Sequence, residues 1–244
     1  MQLRIVGIGV LIPLCAVAAL AWGQPPNARP RSGRPGHLPM LRPGLLFEEE
    51  WKPPADAAHP ASGGLNVALT SEANSNPELD LETYVPAGEL RLVEEGSAEN
   101  GNNPLHVWTG LCTSPCALAL HDKRYFADLS GLARIRFNTK MSGFHRVRPI
   151  VKLADGTWWI GDQAVGTTGD WLVSEISFAD LRWLQLDTTR VVTRGNLVDK
   201  IDLSKVDAIG FADLKPGSGH GPGGAADVAQ IEVYGRAVAR AARD

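Results

Sequence analysis

The chain has 244 residues, with 24 basic side chains against 27 acidic ones and a formal net charge of −3. That balance argues against a general nucleic-acid binder, and the length suits one β-sandwich or two small domains. Of the three cysteines, Cys15 lies in an apolar N-terminal stretch, and Cys112 and Cys116 form a lone pair whose spacing points to export.

Met1-Gln2-Leu3-Arg4 gives a short basic start, and Ile5 to Ala21 is an apolar run. Small residues at Ala19 and Ala21, or at Ala21 and Gly23, suit a signal-peptidase site. The expectation is a signal peptide over 1–23 and a secreted or periplasmic protein. The competing reading is an uncleaved anchor, since the run approaches the ~20 residues of a spanning helix. That anchor is the only membrane contact expected. Pro13 interrupts it, and Leu14 occupies the place before Cys15 where a lipoprotein needs a small residue. Residues 24–44 are rich in Pro, Gly and Arg with no apolar period, which predicts a disordered tether.

The folded part is expected over 45–236, with a tail over 237–244. Leu45-Leu46-Phe47 begins the folded part, Glu48 to Trp51 reads as an edge strand and Asp56 to Pro77 as loop, because His-Pro, Gly-Gly and Asn-Ser-Asn-Pro are turn chemistry. Short strands follow at Leu79–Tyr84, Glu89–Glu94, Leu105–Thr109 and Ala117–His121. The central stretch, Leu129 to Asp162, reads as a three-strand meander. Ile135, Phe137 and Thr139 alternate with Arg134, Arg136, Asn138 and Lys140. After Ser142-Gly143, His145, Val147, Pro149, Val151 and Leu153 alternate with Arg146, Arg148, Ile150 and Lys152. Asp155-Gly156 then turns into Thr157-Trp158-Trp159-Ile160. Further strands are expected at Trp171–Phe178, Val191-Val192, Val206–Phe211 and Asp227–Tyr234, with a weak helical turn over Phe178–Leu186. Roughly ten short strands at this spacing mean an all-β antiparallel sandwich or barrel.

Two segments echo each other: DLSGLARIRF (Asp128–Phe137) and DLSKVDAIGF (Asp202–Phe211). In each, Asp and Ser are placed to hold a turn, and Leu to plug the core ahead of a strand. These segments, the run Trp171, Ile176, Phe178, Asp180 and Leu181, and the closing Ile231-Glu232-Val233-Tyr234-Gly235 resemble galactose-binding-like β-sandwiches of jelly-roll type. The pattern is similar to carbohydrate-binding modules of that fold and to the complex I intermediate-associated protein family. It covers about Asp128 to Gly235; before it, only Phe47 to Trp51 fits. The resemblance implies carbohydrate as partner and no cofactor beyond a structural calcium ion. Members often hold that ion with paired acidic residues on the last strand, whereas here Asp227 and Glu232 are separated.

Same-face residues on a strand lie about 6.8 Å apart and neighbouring strands about 4.8 Å. A hairpin of the first two central strands therefore puts Arg134, Arg136 and Lys140 beside Arg146, Arg148 and Lys152. With Trp158 or Trp159 alongside, such a patch would bind an anionic glycan, because guanidinium forks suit carboxylate or sulfate and an indole face suits a sugar ring. A solvated face paired to the chain's own carboxylates is the competing reading. Adjacent Trp158 and Trp159 must point to opposite faces, one of them the core. Cys112-Thr-Ser-Pro-Cys116 with His121 lacks a fourth metal ligand, so a disulfide is expected. Neither a Glu-x-Asp-x-x-Glu run nor a Gly-x-Ser-x-Gly elbow is present. A polyuronide lyase would need a base such as His145 with Arg146, Arg148 and Tyr234, yet regular alternation turns His145 away from Arg146. The sequence thus leans to non-catalytic carbohydrate recognition. A polysaccharide-active enzyme, lyase or glycosidase, and a structural or assembly protein of the cell envelope are the alternatives.

Overall fold

In the computed structural model of the chain, the residues described are 42–57, 64–94 and 103–240. The expected signal peptide and nearly all of the tether lie outside them. Among the described residues no helix is long and apolar enough to cross a membrane. Two antiparallel sheets form a sandwich. Sheet A holds β1 (Leu45–Glu49), β2 (Leu65–Ala68), β4 (Arg91–Glu94), β5 (His106–Trp108), β8 (Arg134–Met141), β11 (Leu172–Ser177) and β15 (Ala226–Tyr234). Its order is β11-β8-β15-β5-β4-β2, with β1 also paired to β15. Sheet B holds β3 (Leu79–Tyr84), β6 (Cys116–Asp122), β7 (Tyr125–Asp128), β9 (Val147–Leu153), β10 (Trp158–Gly161), β12 (Trp183–Asp187), β13 (Val192–Val198), β14 (Val206–Asp213) and β16 (Arg236–Ala239). Its order is β13-β12-β10-β9-β14-β6-β3, with β7 on β14 and β16 on β7.

The alternation read from the sequence sets the core. Ile135, Phe137, Val147, Val151, Ile209, Phe211, Ile231 and Val233 are all buried between the sheets. Phe137 of sheet A meets Phe211 of sheet B edge-on, ring centroids 6.4 Å apart. Each such side chain removes apolar surface from water at about 25 cal/mol per Å². The echoed segments pair with each other. Asp128 Oδ1 accepts from Ser130 N and Asp202 Oδ1 from Ser204 N, both at 2.9 Å. Leu129 N then donates to Leu203 O at 2.9 Å, and both leucines are buried.

The expected meander is corrected at its first turn. β9 and β10 do form a hairpin through Asp155-Gly156, with Gly156 at φ +87°. β8 and β9, however, lie in different sheets. Residues 142–146 carry the chain over the edge of the sandwich instead of reversing it. Ser142 exchanges hydrogen bonds with Ala225. Gly143 sits at φ +61°, where a Cβ would stand 1.9 Å from Gly223 O. His145 turns inward and its Nδ1 lies 2.6 Å from Asp213 Oδ2, both side chains buried.

Other expectations also shift. The loop expected over Asp56–Pro77 contains β2, and the helical turn expected over Phe178–Leu186 is a 3₁₀ turn at Phe178–Asp180 followed by β12. β13 runs well beyond Val192, and β7 was not foreseen. β16 pairs with β7 through Ala239, so the sandwich extends past residue 236. The strand expected from Trp171 begins at Leu172; Trp171 precedes β11 and meets His106 edge-on at 5.2 Å on the outer face of sheet A.

Candidate functional site

The crossing between β8 and β9 splits the basic ladder. Arg134 and Arg136 stand on the outer face of sheet A, and Arg148 and Lys152 on the outer face of sheet B. Arg146 is exposed in the intervening turn. The six basic residues therefore do not make one patch.

On sheet A, Arg134 and Arg136 each face a carboxylate. Arg134 Nε lies 3.0 Å from Glu175 Oε2, and its guanidinium stacks 3.7 Å above the Tyr234 ring. Arg136 Nη1 donates to Glu232 Oε2 at 2.9 Å and to Tyr234 Oη at 3.2 Å. The resulting network holds Arg136 in its charged form: the Tyr234 bond, then the Glu232 carboxylate, raise its pKa. Arg134 and Arg136 are thus engaged with the chain's own carboxylates.

Sheet B presents a different surface. Ala119 on β6, Gly210 on β14 and Ile150 on β9 stand in register, with Ala117, Ala208 and Ala212 beside them. A Cβ at Gly210 would fall 2.0 Å from Leu118 O, so even a methyl group does not fit there. Tyr84 on β3 and Trp158 on β10 are separated by β6, β14 and β9, four strand spacings or about 19 Å. Their rings nevertheless meet edge-on with centroids 5.1 Å apart. The small residues leave room for the two aromatics to arch across the face, and all four alanines and Ile150 are buried beneath or beside them. Tyr84 and Trp158 themselves stay half-exposed. Burial, then the Glu82 carboxylate to which the phenol donates, push the Tyr84 pKa up.

Beside this arch a charged cluster closes on one carboxylate. Lys152 Nζ lies 5.8 Å from the Trp158 ring centroid and 3.4 Å from Asp207 Oδ2. Arg240 Nη1 donates to Asp207 Oδ1 at 2.6 Å, and His121 Nδ1 is 3.3 Å from the same oxygen. Arg240 also caps the Phe126 ring at 4.2 Å. Burial works to raise the Asp207 pKa, but Arg240, His121 and Lys152 outweigh it and hold the carboxyl below its usual range. Two permanent cations and an imidazole thus converge on a single carboxylate at the edge of an aromatic platform.

Of the expected site residues, Lys152 and Trp158 come together here. Trp159 faces inward, packs against the core and donates from Nε1 to Thr157 Oγ1 at 3.1 Å. Arg148 shares the outer face, but its Nε is committed to Gly161 O at 2.7 Å. Its burial pulls the guanidinium pKa down, with Asp162 acting in the opposite sense. Tyr84, Asp207 and Arg240 are not among the expected site residues, and His121, considered only as a metal ligand beside the cysteines, joins them here. They come from four strands or chain ends far apart in sequence, and only the alternation of β3 marks Tyr84 as a surface residue.

Three further expectations meet the structure. Cys112 and Cys116 are buried thiols here and not the expected disulfide. They stand side by side: a hydrogen bond to Cys112, then burial, then nearby negative charge push the Cys116 pKa up. His121 lies at the far end of β6 from Cys116, against Asp207, so the three do not gather around a metal. His145 is buried against Asp213, away from any ligand face, so it does not present the base that a lyase reading requires. The residues considered for calcium are engaged elsewhere: Asp227 faces His106 Nε2 at 3.8 Å and Glu232 accepts from Arg136 and Tyr234. Among the described residues no three acidic, histidine or cysteine side chains gather as metal ligands.

No protein-family model matches the chain, and no curated protein matches it. Among solved structures, several align with much of the chain at low identity. A family 11 carbohydrate-binding module from Clostridium thermocellum, in complex with a β-1,3-1,4-mixed-linked tetrasaccharide, is 16% identical. The match covers 77% of this chain and 96% of that one, with a TM-score of 0.36. The family 11 module of the cellulosomal cellulase Lic26A-Cel5E of the same organism is 14% identical over 77% and 95%, TM-score 0.37. An exo-β-agarase is 11% identical over 74% of this chain and 25% of its own length, TM-score 0.38. With scores this low, none of them bears on what this chain binds.

Proposed function

We propose that the protein recognises carbohydrate without transforming it, and that its ligand is an acidic glycan bound on the outer face of sheet B. The observation that carries this is the half-exposed Tyr84–Trp158 pair beside a cluster of Lys152, Arg240 and His121 gathered on Asp207. An aromatic face accepts the C–H surface of a pyranose, and a uronate or sulfate group competes with Asp207 for the cations. The pair and the cluster are built on neighbouring strands of one sheet, which holds them to a fixed spacing.

Binding to polygalacturonate and alginate, measured by affinity electrophoresis and calorimetry, tests the reading. Lys152→Ala should weaken it by ~1–3 kcal/mol, the range for a charge-assisted hydrogen bond. Affinity should fall as salt rises, because exposed charges are screened beyond roughly 8–10 Å. If neither polymer binds, or if Lys152→Ala and Trp158→Ala both leave binding unchanged, the site is not on this face. New reducing ends or unsaturated uronide absorbance would replace recognition with catalysis.

Export belongs to the same proposal. The apolar run over 5–21 supports a cleaved leader, and an oxidising compartment would let the neighbouring thiols of Cys112 and Cys116 close into a disulfide. Thiol counts on the unfolded, unreduced protein recovered from outside the cytoplasm decide this, and two free thiols would refute it.

A further inference from the structure

The outer face of sheet A carries an open hollow of about 670 Å³, lined by Asn103, Pro104, Asn138, Asp170 and Trp171. Its size lies within the roughly 300–1,000 Å³ of small-ligand sites. Trp171 forms one wall. Its ring is set from two sides: Nε1 donates to Asn103 Oδ1 at 2.8 Å, and the ring meets His106 edge-on at 5.2 Å. β8 and β15 lie between the strands that follow Trp171 and carry His106, so the indole reaches over the sheet and does not stand at its margin.

The polar groups in this hollow are not consumed by the protein. Asn138 projects outward from β8, half-buried, and its side-chain amide takes no hydrogen bond among the described residues. Asn103 spends only its oxygen on Trp171, leaving the Nδ2 donors. Asp170 Oδ1 accepts from Trp171 N at 2.8 Å, leaving Oδ2. An indole wall, two amide groups and one carboxylate oxygen therefore converge on the same space, with Val173 exposed beside Asn138 on the neighbouring strand. No lysine, arginine or histidine lines it. A ligand with its own negative charge would meet the Asp170 carboxylate with no cation in the lining to offset it. A neutral ligand with several hydroxyls can donate to Asp170, exchange bonds with the amides and lay its C–H face on the indole.

We infer that this hollow is a second saccharide subsite, specific for an uncharged pyranose and independent of the acidic-glycan face on sheet B. The two sites sit on opposite outer faces of the sandwich and differ in charge, so they separate experimentally. The probes are neutral gluco-, xylo-, manno- and galacto-hexaoses at millimolar concentration, added to the full-length ¹⁵N-labelled protein. At least one should shift the Trp171 indole N–H and the Asn138 side-chain NH₂ signals, with an affinity that rising salt leaves unchanged. Asn138→Ala should weaken that affinity about tenfold, the equivalent of one lost hydrogen bond. Trp171→Phe keeps an aromatic wall but removes the bond to Asn103, so an intermediate loss is expected. Thermal melting of both variants checks that the fold survives. If no hexaose moves either signal, the inference fails. It fails too if the response is lost in Lys152→Ala but kept in Asn138→Ala, which would put the neutral sugar on sheet B. Neither outcome touches polyuronate binding, whose fate depends on the sheet B variants alone.

Discussion

The turn that separates the two sheets hangs on His145, and removing this side chain is the sharpest test of the fold. His145 Nδ1 stands 2.6 Å from Asp213 Oδ2, with the side chains 1% and 0% exposed. Thr109 Oγ1 donates to the same oxygen at 2.9 Å, and Lys215 N donates to Oδ1 at 3.1 Å. In His145→Ala the carboxylate keeps those two bonds but loses the closest one, and a ring-sized void opens at the end of the core. Breaking a buried polar pair by removing one partner costs about 3–5 kcal/mol. At roughly 2–4 °C per kcal/mol for a domain of this size, the melting temperature should fall by about 6–20 °C. Urea unfolding followed by tryptophan fluorescence gives the free energy, and circular dichroism gives the melt. The double variant His145→Ala/Asp213→Ala should be less destabilised than the sum of the singles, because no carboxylate is then left short of a donor. A loss under about 1 kcal/mol for His145→Ala, or strict additivity in the cycle, would show that the pair does not anchor the crossing.

Phe137→Ala should cost about 3–5 kcal/mol by urea denaturation, since the ring is fully buried against Phe211. Gly210→Ala should fail to give a cooperative unfolding transition, because the added methyl would stand 2.0 Å from Leu118 O in the middle of sheet B. Acid should weaken the fold. For Asp128, Asp162 and Asp207, burial acts to raise the pKa, but bonds to Ser130 and Arg236, to Arg182, and to Arg240 together with His121 prevail and lower it. A folded pKa below the unfolded value means the stabilisation is complete above about pH 3.9 and is lost as pH falls through the folded values. Stability measured from neutral pH downward should therefore hold until that value and then decline; a rise on acidification would contradict these contacts.

Strand alternation told which side chains share the interior, and it told this correctly for β8 and β9. It carries no information about which strands are neighbours, because a strand with one buried face reads the same in either sheet. The loop over 142–146 decides that question, and its decisive contacts, Ser142 to Ala225 and His145 to Asp213, join residues far apart in sequence. The Asp-Leu-Ser echo was legible because each copy is a local device: the aspartate holds its own turn, and the leucine reaches the core at once. β13 was illegible for the opposite reason. Six of its seven residues are exposed, so no buried face imposes a period on the sequence. β2 has four residues set just after a Gly-Gly pair, too few to outweigh the turn chemistry around them. At the site, Trp158 was visible from its position next to Trp159, whereas Tyr84 and Arg240 join it only through the strand order.

The same alternation lets one sheet pack the core and carry the proposed binding face together. Along β9 and β10, neighbours in sequence have opposite duties: Val151 packs the core beside Lys152 on the outer face, and Trp159 packs inward beside Trp158 outward. Substitution on the outer row leaves the interior row untouched, so the chemistry of the face can change without repacking the sandwich. That freedom has a limit on sheet B. Gly210 must stay glycine, since a Cβ there would meet the Leu118 backbone, and the four alanines are small members of the cluster on which Tyr84 and Trp158 pack. The floor of the site is therefore constrained as tightly as the core, although it lies on the outside of the sheet. Lys152, Glu82 and the exposed sides of the two rings are the positions on this face that can change without disturbing that floor.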